Sequence, residues 1–302
     1  MTAWPARDAS IGQTGSTTRA STRRGWLAAG AFVGAYTALY AASYPLTNWV
    51  EREAIHGLPT DPGSLMYAAL AIVGLALALN GRGELAGGDW LLGLAFGGVV
   101  WISIQSRYWY NEWTPYVPYL DPTMHAVATT AMVVGATVLL RRNPVLGFRL
   151  AQGRIRDGAT ALLGGALLGL PFAIVNVLLL VGQGSSPGAA DLPFAAVTAL
   201  RPAVLEEVAY RLLFLAVALT VFRRHFSSAM AVTLAVGLSV TFHAAVHVPE
   251  LLLTSPVSAL VTAAVVGVVF GLPIALLAAR RSIESAIGFH WVIDAVRFAL
   301  GL

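Results

Sequence analysis

The sequence predicts an all-α protein, a polytopic transmembrane helix bundle with about eight or nine spans. Composition gives the first indication: of 302 residues, 57% are hydrophobic and only 11% are charged. The second is that apolar runs recur along the chain, most of them close to the length of about 20 residues that one helical crossing needs. The third is that arginine is concentrated in alternate segments between these runs, as in cytoplasmic loops.

The apolar runs define the expected spans. Arginine is frequent before the first run and in residues 141–157, and it recurs in pairs at 223–224 and 280–281. This alternation predicts a cytoplasmic N-terminus and, with nine spans, an external C-terminus. We therefore expect an integral multi-pass protein of the cell membrane, with the lipid bilayer as a partner. The runs lie near residues 25–50, 64–80, 89–105, 123–140, 159–182, 193–222, 226–248, 256–279 and 283–301.

Composition also excludes several classes of function. The isoelectric point near 9.7 does not indicate nucleic-acid binding, because most of the arginines lie in short loops where membrane topology explains them. The chain has no cysteine, which excludes disulfides, a thiol nucleophile and thiolate metal sites. It also has no HExxH sequence, which excludes a zinc protease of that type.

Three segments divide the chain. Residues 1–24 are rich in Ser, Thr and Arg without an apolar core, which predicts a disordered cytoplasmic tail. Residues 25–150 form an N-terminal transmembrane extension, and residues 155–302 form the functional unit. The loop 107–122 is rich in Trp, Tyr and Pro, which favours an anchor at the membrane surface over a substrate-binding role.

The sequence LEEVAYRL places three ionisable residues inside the apolar run 193–222. A charged side chain at the centre of a membrane costs about 2.5–3.5 kcal/mol on insertion scales, so such groups must pair or line a wet cavity. Glu207 and Arg211 are four residues apart and can form an ion pair on one helical face. Glu206 is rotated by about 100° from Glu207 and stays free. This division predicts a general base beside its structural support.

Two later runs carry further ionisable residues. His243 and His247 are four apart and share a helical face. Asp294 lies four residues after His290 and can hold its ring in one tautomer, although Arg297 is an alternative partner for Asp294. One such histidine in a membrane helix is more often a hydrogen-bonding residue than a catalyst. Clusters in three of four consecutive runs instead predict a functional site.

The ordered motifs resemble the CPBP family, the intramembrane proteases related to type II CAAX prenyl endopeptidases and to bacteriocin-processing enzymes. The resemblance covers residues 155–302 and leaves the N-terminal half unmatched. It rests on three segments, EEVAYR at 206–211, HAAVHVP at 243–249 and RSIESAIGFHWVIDA at 281–295.

The second family motif, FxxxH, is out of register in this chain. Phe242 directly precedes His243, and His243 itself stands four residues before His247. The Val-Pro pair that follows favours His247 as the family histidine, and His243 remains the alternative.

The resemblance implies an endopeptidase that cleaves a peptide or protein substrate, either membrane-anchored or prenylated. Glu206 would activate the attacking water, and Glu207 with Arg211 would organise the site. Straight helices would place the three motifs at different depths in the membrane. The prediction therefore requires strong tilt, a break at Pro202, or a last span that begins deeper.

The resemblance implies two alternative roles for the histidines. His247 and His290 would bind a divalent metal such as zinc together with Glu206, or they would stabilise the oxyanion, and Asp294 would orient His290. Two imidazoles and a carboxylate can form an open zinc site. Donors aimed at the oxyanion serve equally well without a metal.

Two other functions fit the same residues. Buried Glu, His and Asp in adjacent helices also form proton relays, which would make the protein a proton-coupled transporter. A non-proteolytic scaffold or immunity protein of the same family is the other alternative. The nearly complete motifs argue against the scaffold, and the clustering of acids in one half argues against the transporter.

Overall fold

The computed structural model describes residues 15–52, 62–110 and 120–302, and within these ranges it contains helices and no strand. The predicted all-α fold is confirmed. The helices are α1 Gly15–Arg52, α2 Pro62–Asn80, α3 Gly87–Tyr110, α4 Leu120–Arg142, α5 Ile155–Gly182, α6 Leu192–Thr198, α7 Leu200–Glu206, α8 Leu215–Phe222, α9 Ser228–Ala245, α10 Pro249–Thr254, α11 Pro256–Val265, α12 Leu272–Arg280 and α13 Ile283–Ala299.

Seven continuous helical segments in the described residues are long and apolar enough to cross a membrane. They lie in α1 to α5, in α9 and in Pro256–Arg280, where a π-helical turn at Val266–Gly271 joins α11 to α12. The two remaining predicted spans, 193–222 and 283–301, correspond to the interrupted segment from α6 to α8 and to α13, which has 17 residues. The protein is therefore an integral membrane protein with a polytopic helical bundle.

The N-terminal segment and the aromatic loop are described only in part. Helix α1 begins at Gly15, so the second part of the predicted tail is helical, and residues 1–14 lie outside the described ranges. Most of the loop predicted at 107–122 also lies outside them, because the described chain stops at the end of α3 and resumes with α4.

The Arg-rich segment 141–157, which includes the end of α4, contacts both halves of the chain. On one side, Arg142 binds Glu84, and Arg141 binds Asp89 at 2.6 Å. On the other side, the amide of Leu150 donates to the carboxylate of Glu284 at 2.8 Å. The predicted boundary between the two halves is thus a segment that packs against α13.

Helices α5 and α13 pack closely because glycine lies at their crossing. A Cβ atom added to Gly165 would lie 2.0 Å from the carbonyl oxygen of Ser285, and one added to Gly288 would lie 1.9 Å from that of Leu162. Glycine lets the two backbones approach in a membrane, where close packing drives helix association. This contact fixes how α13 is placed against α5.

The interruption between α6 and α7 follows from Pro202. Proline lacks an amide hydrogen, so the carbonyl group four residues earlier, that of Thr198, loses its helical partner. Ser103 of α3 donates to that carbonyl at 3.1 Å and accepts from the amide of Arg201 at 2.8 Å. Of the three alternatives that the sequence left open, a break is present, at Ala199 rather than at Pro202 itself, and α3 stabilises it.

Candidate active site

The two adjacent glutamates lie where α7 passes into a π-helical turn, Glu207–Phe214. All eight residues of this turn are buried, and its Tyr210 carbonyl accepts a hydrogen bond at 2.9 Å from Ser239 of α9. Turns of this kind occur mostly as single interruptions of α-helices and often mark functional sites. The wider turn aims Glu206 and Glu207 at different neighbours.

Glu207 is completely buried and has two partners, Arg211 and His290. Its Oε2 atom lies 3.5 Å from Nε of Arg211, which is also fully buried. Its Oε1 atom accepts a hydrogen bond at 2.8 Å from Nδ1 of His290. The ion pair predicted from the four-residue spacing is present, and it extends to the last helix.

Glu206 has a different set of partners and retains some solvent exposure. Its Oε2 atom lies 2.6 Å from Nε2 of His243, 3.7 Å from Nε2 of His247 and 4.0 Å from Nε2 of His290. The side chain of Glu206 is 13% exposed, whereas that of Glu207 is not exposed at all. Glu206 is thus the carboxylate at which the three histidines converge.

The polarity of the hydrogen bonds fixes the tautomer of His243. Nη2 of Arg211 lies 3.0 Å from Nδ1 of His243, and because guanidinium only donates, Nδ1 accepts. The proton of the neutral ring is therefore on Nε2, which donates to Glu206. Arg211 in this way connects the two glutamates, since it pairs with Glu207 and orients the partner of Glu206.

His247 occupies the outer edge of the cluster. Its Nε2 atom is 3.3 Å from Nε2 of His243, and its side chain is 39% exposed, against 5% for His243. Both histidines reach the site, as their shared face predicts. The contacts favour His243 over His247 as the direct partner of Glu206, whereas the sequence register favours His247.

His290 lies between carboxylates on both sides of its ring. Nδ1 donates to Glu207, and Nε2 lies 3.3 Å from Oδ2 of Asp294. A carboxylate accepts hydrogen bonds, so Nδ1 carries a proton, and Nε2 faces a second carboxylate. Oδ1 of Asp294 also lies 3.3 Å from Nε of Arg297. Both partners that the sequence proposed for Asp294 are therefore in contact with it.

A metal ion fits part of this cluster by distance alone. The ligand atoms of Glu206, His243 and His247 lie within 4.8 Å of one another, and this group does not include His290. A histidine that binds a metal through one nitrogen usually donates its other N–H to a carboxylate or carbonyl. In His243 the other nitrogen instead accepts from Arg211. The donor set therefore does not fit a metal site that uses His243.

Several residues that support the site have no ionisable group and were not found by motif reasoning. Ser103 stabilises the break before α7, and Ser239 donates a hydrogen bond to the Tyr210 carbonyl of the π-helical turn. Trp291 donates from Nε1 to the carbonyl of Ala196 at 2.9 Å and so links α13 to α6. Of these three contacts, only that of Ser103 has a signal in the sequence. Pro202 leaves a carbonyl group without its helical partner, so a donor from elsewhere is needed.

Comparison with known proteins adds one match. Residues 188–296 match the family model described as type II CAAX prenyl endopeptidase Rce1-like. This range contains every predicted site residue, from Glu206 to Asp294, and it confirms the resemblance drawn from the motifs. No curated protein and no solved structure matches the chain.

Proposed function

From the premise that residues 188–296 form an Rce1-like domain of the CAAX protease family, we propose that the protein is an intramembrane endopeptidase in which Glu206 activates the attacking water. One observation carries the proposal. Two adjacent carboxylates have separate partners, Glu207 with Arg211 and Glu206 with His243. One of them is a buried structural group, and the other is accessible to a reactant.

Glu206 acts as the general base in this proposal. Its Oε2 accepts the hydrogen bond from His243, and its Oε1 takes the proton of a water molecule beside it. The water oxygen then attacks the carbonyl carbon of the scissile peptide bond, and the proton passes from Glu206 to the departing amine nitrogen. A positioned base or acid of this kind contributes about 10²–10⁴-fold to the rate.

The oxyanion that forms on the carbonyl oxygen needs a positive partner. In this proposal His290 is an imidazolium, buried between Glu207 and Asp294, and its Nε2 lies 4.0 Å from Glu206. We assign to it the stabilisation of the oxyanion, and to the exposed His247 a place at the substrate entrance. Donors fixed in a water-poor site stabilise developing charge strongly because they need no reorganisation.

The charges around the site balance without a metal ion. Glu206, Glu207 and Asp294 contribute three negative charges, which Arg211, Arg297 and the imidazolium of His290 offset. Together with the hydrogen bond from Arg211 to His243, this balance supports the metal-free alternative over a zinc site. No step of the proposed reaction therefore uses a metal ion.

Peptide cleavage by purified protein tests the proposal. The protein, reconstituted in lipid, is incubated with a library of prenylated and unprenylated peptides, with and without a chelator, and the fragments are identified by mass spectrometry. We expect cleavage at defined bonds at the same rate in both conditions. Loss of cleavage on chelation, restored by added zinc, would contradict the metal-free mechanism, and uncleaved peptides throughout would contradict the endopeptidase.

The orientation in the cell membrane is a separate proposal that rests on the arginine distribution. Reporter fusions after Arg224 are expected to lie in the cytoplasm, and fusions after Gly184 and Leu302 outside it. A cytoplasmic result at Leu302 would show that the number of spans is even.

A further inference from the structure

Three tyrosines in α1 contact the histidine-bearing end of α9. Tyr36, Tyr40 and Tyr44 are spaced by four residues and line one face of α1, where consecutive rings lie 5.9 Å apart. We call them the tyrosine ladder. Helix α1 lies outside the segment that matches the family model.

Each hydroxyl group of the tyrosine ladder donates to a backbone carbonyl at or just beyond the end of α9. Tyr36 donates to Phe242 at 2.7 Å and Tyr40 to Ala245 at 3.2 Å. Tyr44 donates to Pro249 at 2.8 Å, at the start of α10. The three bonds thus follow the chain across the turn that joins the two helices.

The end of a helix inside a membrane protein needs such partners. The last four carbonyl groups of an α-helix have no partner within it, so other groups must donate to them. Helix α9 ends at Ala245, and the chain continues through the turn Val246–Val248 to α10. The tyrosine hydroxyl groups donate to two of these carbonyl groups, and that of Ala245 also accepts from the amide of Val248 at 3.3 Å.

The carbonyl groups held by the tyrosine ladder bracket the two histidines of the site. His243 follows Phe242, and His247 lies between Ala245 and Pro249. The ring of Tyr36 also stacks on that of Phe242, with centroids 4.0 Å apart and planes within 8°. Rotation or fraying of this end of α9 would move Nε2 of His243 away from Glu206.

We propose that Tyr36, Tyr40 and Tyr44 are positioning residues for the histidines of α9, so that the N-terminal helix is part of the catalytic apparatus. The inference rests on the proposed function, since positioning matters for a reaction at Glu206. It predicts that the hydroxyl groups, and not only the rings, determine the rate. A displacement of about 1 Å at a reacting group can cost about a hundredfold in rate.

The test replaces all three tyrosines with phenylalanine, which keeps the rings and removes the hydroxyl groups. Per folded protein, we expect kcat to fall by about tenfold to a hundredfold, with KM unchanged because the substrate contacts remain. Tyr40→Phe alone, at the partly exposed middle position, gives a smaller fall in kcat and replaces the triple variant if that variant does not fold. Thr37→Val is the matched control, because it removes a hydroxyl group from an exposed position of the same helix and leaves kcat unchanged.

Hydrogen exchange of residues 242–249 gives a readout that does not depend on activity. Faster exchange together with a lower kcat in the triple variant, and neither in Thr37→Val, supports the proposal. Faster exchange with unchanged kcat, or unchanged exchange, overturns it. If wild-type protein cleaves no peptide, the proposed function fails. The exchange measurement then tests the anchoring of α9 alone: faster exchange in the triple variant supports it, and unchanged exchange overturns it.

Discussion

Helices α5 and α13 pack against each other, but they have opposite characters. In the apolar stretch of α5 that is long enough to cross a membrane, only 17% of residues are buried, and Leu163 and Leu167 face outward. In α13 every residue from 283 to 294 is buried except Trp291, and the helix carries His290 and Asp294. The comparison teaches that these ionisable residues of the site lie in a helix that its neighbours cover, whereas α5 carries charge only in its first turn. Hydropathy identifies α5, and the ionisable residues identify α13.

The same contrast holds between the two π-helical turns. All residues of Glu207–Phe214 are buried, whereas only Gly267 and Gly271 are buried in Val266–Gly271. A Cβ atom added to Gly271 would lie 3.7 Å from Nη2 of Arg211. The second turn therefore packs against Arg211 of the first turn at a glycine, which has no side chain.

The largest expected effect separates the two adjacent carboxylates. Glu207→Gln leaves Arg211 buried without its counter-charge, whereas His290 keeps Asp294. Breaking a buried pair costs about 3–5 kcal/mol. Glu206→Gln keeps an amide oxygen that accepts from His243, so its unfolding temperature stays close to that of the wild type. Thermal unfolding in detergent measures both, with the exposed Glu250→Gln as control. Equal destabilisation by both substitutions would contradict the assignment of separate roles.

The next effect distinguishes the two histidines of α9. His243→Phe removes the hydrogen bonds to Glu206 and from Arg211, and we expect the rate to fall by at least about a hundredfold. His247→Ala removes a side chain at the exposed edge and should cost about tenfold or less in kcat/KM. Peptide cleavage measures both variants. If His243→Phe keeps activity while His247→Ala loses it, the register given by the family motif is right and the roles are exchanged.

The smallest effect concerns the contact between α5 and α13. Gly165→Ala inserts a methyl group 2.0 Å from the carbonyl oxygen of Ser285, and overpacking of this kind costs about 1–3 kcal/mol. Because α13 carries His290, cleavage should also slow. Gly164→Ala is the matched control, since its Cβ atom meets nothing within 4 Å. Equal unfolding temperatures for the two variants would show that the crossing relaxes without cost.

Much of the fold and of the site could be predicted because each depends on strong local patterns. Apolar length gave the helical bundle, and the four-residue spacing of Glu207 with Arg211 and of His290 with Asp294 gave contacts that the structure contains. These pairs lie within single helical segments. The geometry of such a pair is set by the helix itself and requires no knowledge of the surrounding fold.

Contacts between helices could not be predicted in the same way. The choice between His243 and His247 depends on how α9 is rotated against the π-helical turn, and a wider turn leaves no sequence signature. Straight helices also predicted different depths for the motifs, whereas in the structure the motifs meet around Glu206 and the helix before it is interrupted at Ala199. The tyrosine ladder contacts backbone atoms, which every residue has, so no pairing of residue types reveals it.

The central claim is that Glu206 activates the water, and one measurement tests it most directly. The kcat/KM of Glu206→Gln is determined in lipid on the best peptide from the library, beside wild-type protein and Glu250→Gln. We predict a loss of at least about a hundredfold for Glu206→Gln, with an unchanged unfolding temperature and full activity in the control. A Glu206→Gln protein that is folded and keeps a substantial part of the wild-type rate would contradict the account.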